Sequence, residues 1–175
     1  DRDSGKRLNQ GLLTGMGKTK LIAELGVSEA KAEKIWDDYF TSMPEIKTLQ
    51  KQAASKMRAT GFVKSLMGRK ARLDHRGYDM SYKAVNRLLQ CGNADIIKQA
   101  MVNIDECLEL HGDRVNMLLS IHDSIDFQFY EDDRKYFNEA LDIMQDFGPQ
   151  KSLDLLVPMV VDVGEGKNWS EASYG

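Results

Sequence analysis

Three small sets of side chains in this sequence have the types and spacing to do chemistry. Arg2 and Lys6 stand four residues apart, so on a helix they project from one face about one turn from each other. Two cations so placed suit a polyphosphate, with Lys6 able to reach a triphosphate, and they equally suit a solvated surface. His122-Asp123 separates two alternating apolar runs, Val115 to Ile121 and Ile125 to Tyr130, which reads as a hairpin with a tight polar turn. Rigid strands would hold an exposed carboxylate at that tip, and Asp is also a common turn former beside a surface His. Asn86 and Gln90, again four apart, lie among Leu88 and Leu89, where amides either satisfy a neighbouring loop or reach base and sugar edges.

A fourth set fails on spacing. Gly17-Lys18-Thr19 ends like a phosphate loop, but G-x-x-x-x-G-K-[ST] needs its first glycine at position 12, which is Leu12. Gly11 comes one residue too early and no buried strand precedes it, so a glycine-loosened junction between two helices is expected instead. Cys91 and Cys107, sixteen apart in an expected helix, are poorly placed for a bridge and too few for a zinc knuckle. Two such thiols make a reducing compartment the simplest reading, and the opening Asp-Arg-Asp-Ser-Gly-Lys shows neither an initiating Met nor an apolar signal core.

The net charge of −3 conceals a split. Residues 1–46 hold 7 basic and 8 acidic side chains, residues 47–87 hold 11 and 2, and residues 88–175 hold 6 and 17. The local balances are therefore −1, +9 and −11. Lys64, Arg69, Lys70, Arg72, Arg76, Lys83 and Arg87, spaced along the middle block, make a footprint for a polyanion or a solvated basic face. The acidic remainder argues against a general nucleic-acid coat and suits a protein that meets phosphate in one place and divalent cations in another.

The elements that must position these groups follow from periodicity. At 42% hydrophobic and 29% charged, the 175 residues support a sizeable core, and no apolar run nears the roughly 20 residues of a membrane span. Helices are expected from Arg2 to about Leu13, around Leu21 to Leu25 before Gly26, over 30–40 after the cap Ser28, and over 46–59 before Gly61. A basic hairpin or extended connection follows from Phe62 to Leu73. A long helix over 80–110 closes at Gly112, then come the hairpin near 115–130, a helix over 132–147 and a strand over 155–163. The class is α+β with a small antiparallel sheet.

Five of these segments stand in a fixed order. They are Arg2-x-x-x-Lys6-x-x-x-x-Gly11 with Gly15; Ser65-Leu66-Met67-Gly68-Arg69-Lys70; Ala84-Val85-Asn86-Arg87-Leu88-Leu89-Gln90 with Ala94-Asp95-Ile96-Ile97; Ile121-His122-Asp123; and Val157-Pro158 through Gly164-x-Gly166-x-Asn168-Trp169. Together they resemble the C-terminal part of a family A DNA polymerase, of the DNA polymerase I type with features of the bacteriophage replicative branch, over nearly the whole chain. The resemblance implies part of the fingers in residues 1–43 and the C-terminal part of the palm in 44–175. It implies DNA-templated nucleotidyl transfer from a dNTP to a primer 3′ hydroxyl with two Mg²⁺ ions, in the cytoplasm of a bacterial or phage-infected cell.

By the same resemblance Arg2, Lys6, Gln10 and Thr14 face the nucleotide. Arg69, Lys70, Asn86, Gln90 and His122 touch primer-template DNA, and Asp123 is the metal ligand. Lys6 and His122 join Asp123 as catalytic residues. Gln10 stands where the family has Phe or Tyr, Thr14 where it has Tyr, Ser124 where it has Glu, and Tyr82 where it has Arg, with Lys83 beside it. Nothing matches the family's first palm motif, an Asp on a strand followed by Ser and Glu. The expectation is therefore a chain that polymerises only with an upstream segment or partner chain carrying that Asp. The alternatives are a catalytically inactive, polymerase-derived DNA-binding module and a helical interaction domain with no nucleic-acid role.

Overall fold

A computed structural model describes residues 2–73, 79–112, 114–146, 153 and 155–174. Arg76 and the expected helix end at Phe147 lie outside them. The chain forms two compact units, residues 1–92 and 93–175, and each is described by itself.

The first unit is built on amphipathic helices. α1 (Arg2–Leu13) runs through Gly11 instead of ending there, because the missing side chain is where Met16 folds back onto the helix: a Cβ on Gly11 would collide with Met16 Cε. Gly15, at φ +95°, makes the turn that brings Met16 round. α2 (Lys18–Leu25) and α3 (Glu29–Ser42) follow, and the Ser28 hydroxyl accepts from the Lys31 amide at 3.4 Å to open α3. α4 (Pro44–Thr60) begins on a proline, whose fixed φ suits the first helical position. Leu12, Leu21 and Ala32 are buried together, with Leu8, Ile35 and Trp36 packed against them.

After α4 the basic segment is a true hairpin. β1 (Phe62–Lys64) and β2 (Lys70–Arg72) pair antiparallel, with Val63 opposite Ala71. Alternation buries Val63 and Ala71 against Ala53 and Met57 of α4 and turns Lys64, Lys70 and Arg72 outward. The expected 80–110 helix opens as a 3₁₀ turn at Ser81–Lys83, continues as α5 (Ala84–Leu108) and tightens to 3₁₀ again at Glu109–His111. Ala84 and Val85 join the Val63 cluster.

In the second unit, β3 (Val115–Ile121) and β4 (Ser124–Phe129) form the other sheet, with a bulge between Met117 and Leu119. Ile125, Phe127 and Phe129 share the face that packs on Ala100, Ile104 and Leu108 of α5 and on α6 (Arg134–Gln145), as their alternation predicts. The Phe129 ring stacks on Phe137 with centroids 4.5 Å apart, and Phe127 meets the same ring edge-on at 5.7 Å.

The expected small antiparallel pairing is present as two two-stranded ladders among the described residues. One expectation is corrected. Residues 155–163 are irregular, with no ladder partner among the described residues. Their apolar pattern serves packing: Leu155, Met159 and Val161 lie on the core, while Leu156, Val157 and Val160 are exposed. Apolar alternation reports which side chains are buried, whereas a strand also needs a neighbour to take its N–H and C=O groups, and Pro158 has no N–H to offer. The tail after it folds as a short helix, α7 (Trp169–Tyr174), which lies so close over Gly164 and Gly166 that a Cβ on either would strike its backbone.

Candidate functional site

The first unit carries the expected nucleotide-facing residues on α1. Arg2, Lys6 and Gln10 recur every fourth residue, so they share one exposed face, while Leu8 and Leu12 seat the other on the core. The helix is held at both its flank and its end. The Tyr39 hydroxyl donates to Asn9 Oδ1 at 2.9 Å, and Gln50 Nε2 donates to the Leu12 and Leu13 carbonyls at 2.7 and 3.0 Å, two of the acceptors a helix C-terminus leaves open. Thr14 is half-buried, and its hydroxyl donates to the Gln10 and Gly11 carbonyls at 2.8 and 3.2 Å. Lys18, the lysine of the rejected phosphate-loop pattern, is ion-paired to Glu33 at 2.7 Å, which holds the lysine above and the glutamate below their ordinary values.

The same unit gathers the four expected primer-template residues of hairpin and helix. Ser65 is buried in the β1–β2 turn, where its hydroxyl accepts from the Arg69 amide at 3.1 Å and its own amide donates to the Arg69 carbonyl at 2.9 Å. That clamp fixes the Gly68-Arg69-Lys70 segment with Arg69 and Lys70 exposed. The Lys70 ammonium stands 4.9 Å from the centre of the Phe62 ring. On α5, positions 84, 85, 88 and 91 make the buried stripe, so positions 86 and 90 fall on the opposite side, Asn86 half-buried and Gln90 exposed. Gly92 ties the two elements together, since a Cβ there would rest 3.6 Å from Leu66 at the hairpin tip.

The second unit holds His122 and Asp123 as the two-residue turn between β3 and β4. His122 takes φ +55°, the one non-glycine residue with positive φ among the described residues, as a two-residue hairpin turn demands. Ser124 Oγ donates to the Ile121 carbonyl at 3.0 Å and closes the turn. Both turn side chains are exposed, and nothing among the described residues pairs with either. A hard carboxylate oxygen at a rigid, open tip fits Mg²⁺, as one ligand of a set that needs more.

Sequence reasoning missed two features of this unit. Trp169 Nε1 donates to Asp126 Oδ2 at 3.1 Å, which pins α7 beside the strand that leaves the Asp123 turn. Arg134 forks between Glu131 and Glu165, with its two terminal nitrogens 2.9 and 2.8 Å from the Glu165 carboxylate, and each glutamate sits below its ordinary range in consequence. Partners 31 and 43 residues apart leave no spacing signal in a sequence.

The chain is similar to the DNA polymerase I of Pseudomonas aeruginosa, 31% identical over 98% of this chain and 19% of that protein. It is similar to the DNA polymerase I of Streptococcus pneumoniae, 28% identical over 98% of this chain and 20% of that protein. The chain thus spans about a fifth of the length of these relatives. Among solved structures, the POL domain of Pol1 from M. smegmatis in complex with DNA primer-template and dNTP superposes with a TM-score of 0.85 at 26% identity, covering 99% of this chain and 31% of that one. With the model of that polymerase family running from residue 1 to residue 171, this chain belongs to DNA polymerase family A.

Proposed function

We propose that these residues are the C-terminal part of a template-directed DNA polymerase domain, with part of the fingers in 1–43 and part of the palm in 44–175. The observation that carries the reading is the unbroken family match across both units, which makes the cationic face of α1 and the Asp123 turn parts of one polymerase segment. Lys6 and Arg2 hold the triphosphate of the incoming dNTP, and Gln10 lines the same exposed face. Thr14 acts through the end of α1, since its hydroxyl is spent on helix carbonyls.

Arg69 and Lys70 grip primer-template phosphates. Asn86 and Gln90 donate to N3 of purines and O2 of pyrimidines, acceptors that correctly paired bases present in similar minor-groove positions. His122 lies at the primer terminus. Asp123 holds Mg²⁺, which when bound lowers the pKa of the primer hydroxyl and neutralises phosphate charge during an in-line displacement that releases pyrophosphate.

The chain requires an upstream segment or partner chain. One carboxylate at the turn does not complete a two-ion ligand set. The β3–β4 ladder also leaves Leu118 and Leu119 more than half exposed, as suits strands that a further strand of the palm would cover. The test is primer extension by the longest natural polypeptide with Mg²⁺ and four dNTPs. Asp123→Ala should lower extension at least ~100-fold, the scale of losing one preorganised electrostatic group, with duplex binding retained. Duplex binding without extension by the unsubstituted protein would favour the inactive DNA-binding module, a reading to which Ser124 in place of the family's Glu gives some support.

A further inference from the structure

We propose that Cys107, His111 and Glu139 form a zinc(II) site in the second unit, independent of the polymerase reading and separate from the Mg²⁺ assigned to Asp123. Their Sγ, ring-nitrogen and carboxylate donor atoms all lie within 4.8 Å of one another. Zinc bonds of ~2.0–2.3 Å in a tetrahedron put donors ~3.3–3.8 Å apart, so side-chain rotation would draw the widest pair in by about 1 Å and part His111 Nε2 from Glu139 Oε2, now 2.9 Å apart, by a few tenths. Cys107 and His111 come from the end of α5 and the 3₁₀ turn beyond it, one helical turn apart, and Glu139 from α6.

The backbones are already fixed. Leu108 beside Cys107 and Ala140 beside Glu139 are both buried in one core. The His111 ring lies against Tyr136 with centroids 4.5 Å apart, which restricts its rotation, and its Nε2 is 2.9 Å from Glu139 Oε2. A cation inserted there takes one lone pair from the ring and one from the carboxylate, and as the thiolate binds, the thiol proton leaves to solvent.

The donor set chooses the metal. A thiolate and an imidazole with one carboxylate suit zinc and other borderline ions, whereas Mg²⁺ and Ca²⁺ want oxygen alone. Three protein donors leave the fourth position to water. The −11 balance of residues 88–175 favours a cation there. Because α5 and α6 are the helices on which the catalytic hairpin packs, the ion would act as a clip beneath it.

The test uses Co²⁺ as a spectroscopic probe on the longest natural polypeptide, stripped with chelator, each variant read against the unsubstituted protein. One equivalent should give a thiolate-to-cobalt charge-transfer band that Zn²⁺ abolishes by displacement. Cys107→Ser should remove that band and Cys91→Ser should leave it. His111→Gln and Glu139→Gln should each weaken Co²⁺ binding at least about tenfold. Zn²⁺ should also raise the thermal midpoint of the unsubstituted protein, an increase that His111→Gln loses. A band that persists at full strength in Cys107→Ser, or no band and no thermal shift in the unsubstituted protein, would overturn the proposal.

Discussion

Asp79 shows how one side chain can carry a pH signature. Ser81, whose amide donates to Asp79 Oδ1 at 2.9 Å, followed by the Arg58 guanidinium at 3.0 Å, holds its carboxyl down at about 2 from an ordinary 3.8. A carboxyl whose folded value is depressed contributes stability that is complete above its unfolded value and disappears as the pH falls through the folded one. Asp79→Asn should therefore destabilise at pH 6, with the deficit shrinking between about pH 4 and about pH 2. Urea midpoints across that range measure it, and a deficit independent of pH would refute the assignment. Among the site residues, Lys6→Ala should raise KM for dNTP about tenfold or more, the worth of a charge-assisted hydrogen bond, while Gln90→Ala should weaken primer-template binding. Equal kinetic effects from both would mean that their roles are misplaced. Lys6 and Gln90 drew notice because each stands four residues from a second polar group within a motif of the ordered family resemblance, whereas Cys107, His111 and Glu139 belong to no such motif. The first two are four apart, but the third comes from another helix.

At the scale of elements, helices α1 to α6 and the hairpin near 115–130 could be read from the chain because their periods are local, whereas α7 was read only as a tail and residues 62–73 as a hairpin or an extended connection. Gly26 and Gly61 stop helices where expected, and Ser28 caps one. Tertiary contact decides the rest: Met16 fills the space beside Gly11 in α1, and residues 155–163, expected as a strand, keep an alternating apolar pattern without a ladder among the described residues. Two substitutions probe the supports. Gln50→Ala removes the amide that satisfies two terminal carbonyls of α1 and should cost about 1 kcal/mol, read as a lower urea midpoint. Phe137→Ala removes the ring on which both Phe127 and Phe129 rest and should cost ~3–5 kcal/mol. A loss below about 1 kcal/mol would show that the hairpin does not depend on α6.

For the whole molecule, the charge split is the guide to partners. The +9 block coincides with α4, the basic hairpin and the first turn of α5, and the −11 block holds the Asp123 turn, so the basic footprint and the exposed carboxylate fall in different units. Replacing Arg69 and Lys70 together by Ala should reduce the slope of log K against log salt by about 0.9 for each phosphate no longer neutralised, with little change in base preference. An unchanged slope would remove the hairpin from the DNA interface. The most direct measurement of the central claim is primer extension with Mg²⁺ and four dNTPs, comparing this chain alone, the chain with a polymerase segment that supplies the first palm Asp, and that combination with Asp123→Ala. The account predicts extension in the second case only. Robust extension by the Asp123→Ala combination would contradict it.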